Sequence, residues 1–260
     1  MTFEIAVSTM HKKRDQIIDM LKDEKIFCNC MVINQCDESY YEEIKQGTQI
    51  IKIFYTTERG LSRSRNIALL NASTDILAFA DDDLEYYTDF DKKIIAYYEK
   101  NPLADIVLFN MDDWEHTYPS YEFKCKFLKL SSFTSMQITL KPNNVSTRFN
   151  VLFGSGSKLF DSGEENVFLA DCFRKKNKIF YCPEKILRRN KAESTWFKGY
   201  SDKKYVSDRG AVYYAISKFY YLPYVIRFAF SKRKKIKPIT PLAAVFLMRL
   251  GKQTLKKLSK

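Results

Sequence analysis

Residues 60–86 read GLSRSRNIALLNASTDILAFADDDLEY. The run Ile76-Leu77-Ala78-Phe79 is short and continuously apolar, the pattern of a buried strand. It stops in three consecutive carboxylates, Asp81, Asp82 and Asp83. Like charges side by side repel and cost desolvation unless a cation or hydrogen-bond donors offset them. Hard carboxylate oxygens suit Mg2+ or Mn2+. The carboxyl end of a strand is also where an open α/β sheet binds ligands. The stretch therefore points to a metal-dependent site for a phosphorylated ligand. Just upstream, Gly60 allows a tight turn, and Ser62 or Ser64 is placed to cap the helix that follows. Arg59, Arg63 and Arg65 bring guanidinium groups to that helix start, an arrangement suited to an anion.

Working outward, strand-like and helix-like segments alternate. Strands are predicted over 3–8, 27–33, 50–55, 76–80 and 106–110, with helices over 12–21, 61–71 and 90–100. The alternation predicts a mostly parallel central sheet flanked by helices. Residues 112–153 change character, being rich in aromatics, Ser and Thr, and read as antiparallel hairpins or a loop-rich insertion. A helix over 166–175 and a strand over 179–182 resume the pattern.

The chain has 260 residues and a net charge of +12. Twelve of its 43 Lys and Arg lie after residue 210, leaving 31 against 31 acids before it, and no acid follows Asp208. A neutral body with a cationic tail argues against a nucleic-acid-binding body and for a separate job in the last fifty or so residues. Residues 211–230 are apolar and aromatic but broken by Lys218, Pro223 and Arg227, too broken for a span of roughly 20 apolar residues. The basic run SKRKKIK follows at 231–237, then Leu242, Phe246, Leu247, Leu250 and Leu258 recur at helical spacing. Aromatics beside dense Lys and Arg suit a helix lying in a membrane interface. The other reading is a C-terminal helical hairpin that covers the sheet and exposes its lysines. The N-terminus MTFEIAVSTM runs straight into a strand, so no secretory leader is expected. Six cysteines without a CxxC pair read as reduced, mostly buried thiols, and two histidines make a His-rich zinc site an unattractive reading.

The stretch 60–86 resembles the central signature of family 2 glycosyltransferases of the GT-A fold, of the bacterial surface-polysaccharide type. The matching pieces are Gly60, Arg65-Asn66, Thr74-Asp75, Phe79 and Asp81-Asp82-Asp83, the last standing at the DxD-type metal motif. A second signature, an acidic pair at a helix start, is matched by Gly163-Glu164-Glu165-Asn166, with Glu165 where the family usually has Asp. The resemblance covers roughly residues 3–190. It implies a GT-A (Rossmann-like) domain over 1–205, with a nucleotide-sugar half to about 110 and an acceptor half over 111–205. A basic, amphipathic helical tail for membrane association is expected over 206–260.

The resemblance also implies roles. Asp81 meets the donor's ribose or a metal water, Asp83 and Asp81 hold Mn2+ or Mg2+, and Asp82 is the variable middle position, pointing to the other face of an extended strand. Arg65 and Arg63 lie near the nucleotide. Asp37 or Asn34, at the end of the second strand, reads the base, and Ser8 and Thr9 let the nucleotide approach. Glu165, with Glu164 as second choice, is the base of a single displacement that inverts the anomeric carbon. The donor is a nucleotide-diphosphate sugar, most simply a UDP-sugar. The acceptor is a glycan or a polyprenyl-diphosphate-linked glycan in capsular, O-antigen or exopolysaccharide synthesis. The expected location is cytoplasmic, on the inner face of the cell membrane, held to its anionic surface by residues 211–260. Nucleic acid is not an expected partner, and homo-oligomerisation stays open. A metal-dependent nucleotidyltransferase, for which Lys12-Lys13 is the one supporting feature, and a non-enzymatic membrane-surface adaptor are the competing readings. A DxDxT phosphatase is disfavoured because Leu84 and Glu85 follow Asp83. On the residues alone, Gly154-Ser155-Gly156-Ser157 reads as a flexible acceptor-side loop, Trp114 and Trp196 as sugar-stacking candidates, and His116 and Glu193 as further polar candidates.

Overall fold

The computed structural model describes residues 1–112, 117–189 and 199–258. Ten strands form one sheet: β1 (Phe3–Met10), β2 (Cys30–Gln35), β3 (Tyr40–Gln46), β4 (Gln49–Thr56), β5 (Ile76–Asp81), β6 (Leu84–Tyr86), β7 (Ile106–Asp112), β8 (Phe123–Lys124), β9 (Ile138–Leu140) and β10 (Ile179–Arg189). Their order is β3-β4-β2-β1-β5-β9-β7-β10-β6, with β8 on β10. β4, β2, β1 and β5 are parallel neighbours, and β7 and β10 continue that direction beyond the antiparallel β9. The parallel strands are apolar on both faces because helices cover both. Val7, Ile5 and Ala78 pack with Ile17 of α1 (Arg14–Asp23) and Ile94 of α3 (Phe90–Lys100). Their alternate neighbours Ala6, Leu77 and Phe79 pack with Ala68 and Leu69 of α2 (Leu61–Asn71) and Phe168 of α4 (Glu164–Arg174).

The middle segment is closer to the loop-rich insertion than to the hairpins, the two readings the sequence left open. β9 inserts singly and antiparallel between β5 and β7, and β8 pairs with β10, so the two pieces never meet as a hairpin. Ile138 and Leu140 are fully buried, and the Thr139 hydroxyl donates to the Val107 carbonyl at 3.1 Å, which fixes this register. The sequence reading also passed over β3, whose YYEEIKQ buries only Ile44 and forms the exposed hairpin edge beside β4. All six cysteines are free, and Cys30, Cys125, Cys172 and Cys182 are buried.

The tail folds as α5 (Lys203–Ile216), α6 (Tyr221–Ser231) and α7 (Pro241–Leu258). Val206, Val212, Val225, Phe228, Ala244 and Met248 form a third core with Val167 and Ala170 of α4. The α5–α7 crossing depends on two glycines. A Cβ on Gly210 would sit 2.0 Å from the Met248 carbonyl oxygen, and one on Gly251 would sit 1.9 Å from that of Ser207. The tail thus covers α4 rather than the sheet. Among the described residues no helix is long and apolar enough to cross a membrane.

Candidate active site

β5 delivers Asp81 to the carboxyl edge of the sheet beside Ser8 of β1, its parallel partner. The strand ends there, and Asp82 and Asp83 form the turn into β6. Strand alternation therefore does not set their directions, contrary to the expected placing of Asp82 on the opposite face of an extended strand. Asp82 instead accepts from the Thr9 hydroxyl at 2.5 Å and lies 3.5 Å from Lys12 Nζ. Asp83 is half-buried, and burial, with Asp81 adding to it, pushes its carboxyl above the ordinary value.

The centre of the site is Arg65, only 1% exposed. Its Nη2 donates to Asp81 Oδ1 at 2.9 Å and to Ser135 Oγ at 2.7 Å, and its Nη1 donates to Glu164 Oε1 at 2.8 Å. Burial alone would push the guanidinium pKa down, but Asp81 and Glu164 outweigh it and hold the pKa above the ordinary value. The next residue, Asn66, clamps the Phe149 backbone through both its amide groups, at 2.9 and 2.8 Å. That sets the Phe149 ring 5.6 Å from the Arg65 guanidinium. The Arg-Asn pair thus binds β5, α4 and the 149–160 segment into one junction.

Glu164 and Glu165, neighbours at the start of α4, live differently. Glu164 is buried and committed to Arg65. Glu165 is half-buried and is pushed up to about 8 by burial and by Glu164, with Arg65 and Arg209 opposing. Arg209 comes from α5. It donates to Asn166 Oδ1 at 3.4 Å and its guanidinium lies 4.9 Å from the Tyr213 ring centre. The sequence reading missed it because it sits one residue after the last acid, in what read as a tail.

The remaining candidates are dispersed. Ser8 accepts from the Ser64 hydroxyl at 2.8 Å. Asn34 is fully buried and holds both backbone groups of Lys12, so it shapes the β1–α1 connection. Asp37 is largely exposed and accepts from Arg59 at 2.7 Å. Arg63 is exposed, 3.7 Å from Glu58. Neither serine caps α2. Gly60 is the cap residue, and Ser62 donates to the Phe153 carbonyl at 2.7 Å. The 154–157 loop packs against this turn, with Leu61 N–H donating to the Ser155 carbonyl at 2.9 Å. A Cβ on Gly60 would lie 3.3 Å from the Gly156 oxygen, so the loop is a close-packed strap rather than the flexible loop expected. Trp114, His116, Glu193 and Trp196 lie outside the described residues.

Two further residues escaped the sequence reading. Ser135 completes the Arg65 network. Glu24, at the end of α1, is 4% exposed, and neither carboxyl oxygen has a partner among the described residues. Burial, followed by Asp82 and Asp83, pushes it up to about 9. It lines a cavity of about 370 Å³ with Lys12, Asp19, Asp23, Asp82 and Asp83. Nothing in the sequence marked it, because a Glu at a helix end is ordinary. A larger cavity, about 720 Å³, lies between α4, α5 and α7 and is lined by none of the predicted site residues. The acidic edge, with its buried cation and perturbed carboxylates, is the better site by its chemistry.

A divalent ion would not find a closed cage here. No group of three or more His, Cys, Asp or Glu side chains able to hold a metal occurs among the described residues. Mg2+ and Mn2+ sites for phosphorylated ligands, however, use one or two carboxylates and complete their shell with phosphate and water. Asp81 and Asp83, two hard donors at the sheet edge, fit that open arrangement.

A model of the family described as Glycosyl transferase family 2 matches residues 17–158. A search of curated proteins found no significant match. Among solved structures, TarS 1-349 of S. aureus in complex with UDP-GlcNAc aligns at 15% identity and a TM-score of 0.60, covering 89% of this chain and 74% of that one. A longer structure of S. aureus TarS aligns at 14% identity and a TM-score of 0.60, covering 92% of this chain and 46% of that one. The mannosyltransferase PcManGT from Pyrobaculum calidifontis, in complex with GDP-Man and Mn2+, aligns at 12% identity and a TM-score of 0.51, covering 97% and 73%. At such identities the likeness is one of fold, and that fold is GT-A.

Proposed function

The chain belongs to glycosyl transferase family 2, and from that premise we propose that it transfers a sugar from a nucleotide-diphosphate donor to a hydroxyl of a glycan acceptor, with inversion. The observation that carries this reading is the Arg65 bridge. It joins Asp81 to Glu164 and, among the described residues, leaves the adjacent Glu165 as the unbridged carboxylate of the pair.

Asp83 and Asp81 are the donor-side ligands in this proposal. They hold Mn2+ or Mg2+, which when bound supplies Lewis-acid stabilisation to the diphosphate leaving group. Ser8, Thr9, Asp37, Asn34, Arg63 and Arg65 belong to the donor side. Asn34 and Arg65 act there by shaping the floor, since both are buried. Glu165 takes the acceptor hydroxyl's proton as the acceptor oxygen bonds to the anomeric carbon. The bond from that carbon to the diphosphate oxygen breaks, and its electron pair leaves with the nucleotide. A carboxylate pushed up to about 8 is a stronger base than an ordinary one, and its buried setting favours the neutral form produced. Arg65 and Arg209 keep the ionised form accessible.

The donor is a nucleotide sugar, with UDP-sugars the first to test. The acceptor is a cell-surface glycan or its polyprenyl-diphosphate-linked precursor, reached from the cytoplasmic face of the membrane. Residues 1–205 are the proposed catalytic unit and 206–260 the tail, although α5 spans that boundary and brings Arg209 toward Glu165. The direct test is a melting-shift screen of nucleoside diphosphates with Mn2+, followed by nucleotide-sugar turnover. Ligand binding to the folded state raises the melting temperature. We expect one nucleoside diphosphate to stabilise the wild type only with metal, and Asp83→Ala to lose both the shift and turnover while staying folded. Wild-type turnover by Asp83→Ala contradicts the assignment.

A further inference from the structure

Helices α6 and α7 each carry two apolar stripes, and the fold uses only one. In α7, Ala244, Met248, Gly251 and Leu255 are buried. Leu242, Phe246 and Leu250 are 80%, 59% and 40% exposed. At 3.6 residues per turn these sets fall on opposite sides of the helix. In α6, Tyr221, Tyr224, Val225 and Phe228 are buried, whereas Leu222, Ile226 and Phe230 recur every fourth residue and face solvent. α6 and α7 pack on one another, and exposed apolar stripes on adjacent helices mark an interaction site.

We infer that these six outward side chains seat the enzyme on an anionic lipid surface, with the α6–α7 connection as the cationic edge of the contact. The inference rests on the peripheral location proposed above and names the surface responsible for it. Arg227, Arg233, Lys234, Lys237 and Arg249 are exposed beside the stripes. Residues 209–260 contain no acid. Two copies meeting through this face would oppose cations with no carboxylate in the segment to pair them, whereas an anionic leaflet complements them. Helices of 11 and 18 residues with apolar outer faces and flanking Lys and Arg lie in the headgroup layer rather than cross it.

The experiment is co-sedimentation of the full chain with vesicles of phosphatidylglycerol and phosphatidylcholine, against phosphatidylcholine alone. The readout is partition, so it is independent of donor chemistry, and a failed glycosyl-transfer reading leaves it intact. Wild type is expected to partition at least tenfold better onto the anionic vesicles. Leu242→Ser/Phe246→Ser removes exposed apolar groups only. It is expected to lower partition at least tenfold with the melting temperature and nucleotide-induced shift unchanged. Lys234→Glu/Lys237→Glu is expected to lower partition onto anionic vesicles alone. Absent binding by the wild type, or full binding by the serine pair, overturns the inference. So does a lipid-free dimer that the serine pair converts to a monomer.

Discussion

Around Arg65, carboxylates from β5 and α4 meet one buried guanidinium at 2.9 and 2.8 Å, whereas the cations of α6 and α7 sit in a segment with no acid to meet. The first region pairs its buried guanidinium internally, and doing so fixes the positions of Asp81 and Glu164. The second fixes its apolar inner stripe, lays Lys252 and Lys256 over tyrosine rings, and leaves Arg227, Arg233, Lys234, Lys237 and Arg249 outward. Charge settled inside a fold determines geometry, and charge left on a face awaits a partner. Substitutions should therefore act through structure and chemistry in the first region and through association in the second.

The sharpest break in that contrast is Arg65→Leu. Removing one member of a buried ion-pair network leaves its partners uncompensated, at a cost of about 3–5 kcal/mol. Chemical denaturation should show that loss, with turnover abolished. A stable, active variant would mean that the junction is not held by charge. Next in size is the pH dependence. With Glu165 as the base and its carboxyl pushed up to about 8, kcat/KM should climb roughly tenfold per pH unit on the acid side and level off above about 8. A profile flat from pH 6 to 9 would contradict it.

Glu24→Gln tests a buried carboxyl that has no ion-pair partner among the described residues. The fold holds Glu24 protonated up to about 9, whereas the unfolded chain ionises it above its ordinary 4.5. The unfolded state thus binds fewer protons between those values. The group's share of stability is complete below pH 4.5 and falls as pH rises toward 9. The Gln variant should gain about 1–3 kcal/mol over wild type at pH 8, measured with chelator present, and nothing at pH 4.5. The smallest effect is expected of Asp82→Asn. Its exposed carboxylate meets Thr9 and a half-buried Lys12, and an amide oxygen still accepts, so kcat/KM should fall less than about fivefold. A variant as dead as Asp83→Ala would move Asp82 into the working set.

The same contrast explains what could be read beforehand. The β5 strand, its acidic end and α2 were legible because continuous apolar runs and a Gly–Arg–Asn helix start are local signals. The α2 bounds, Leu61–Asn71, agree with the reading to the residue. The acidic pair was legible by type, but the different fates of Glu164 and Glu165 were not. They depend on Arg65, 99 residues away from Glu164 in the chain. Ser135 and Arg209 were invisible for the same reason, since their roles arise only when residues of the middle segment and of the tail are packed against α2 and α4. The partners of β9 were not legible, because three apolar residues carry no record of which strands they will separate. The tail's outward stripes were half legible: the helical spacing of Leu242, Phe246 and Leu250 was evident, but whether it faced core or solvent was not.

The division between Glu164 as the bridged carboxylate and Glu165 as the base is best tested by Glu165→Gln, assayed for nucleotide-sugar turnover alongside its nucleotide-induced melting shift. The account predicts a loss of about 10²–10⁴ in kcat, disappearance of the pH dependence near 8, and an unchanged melting shift. Turnover at the wild-type rate with the shift intact would contradict it.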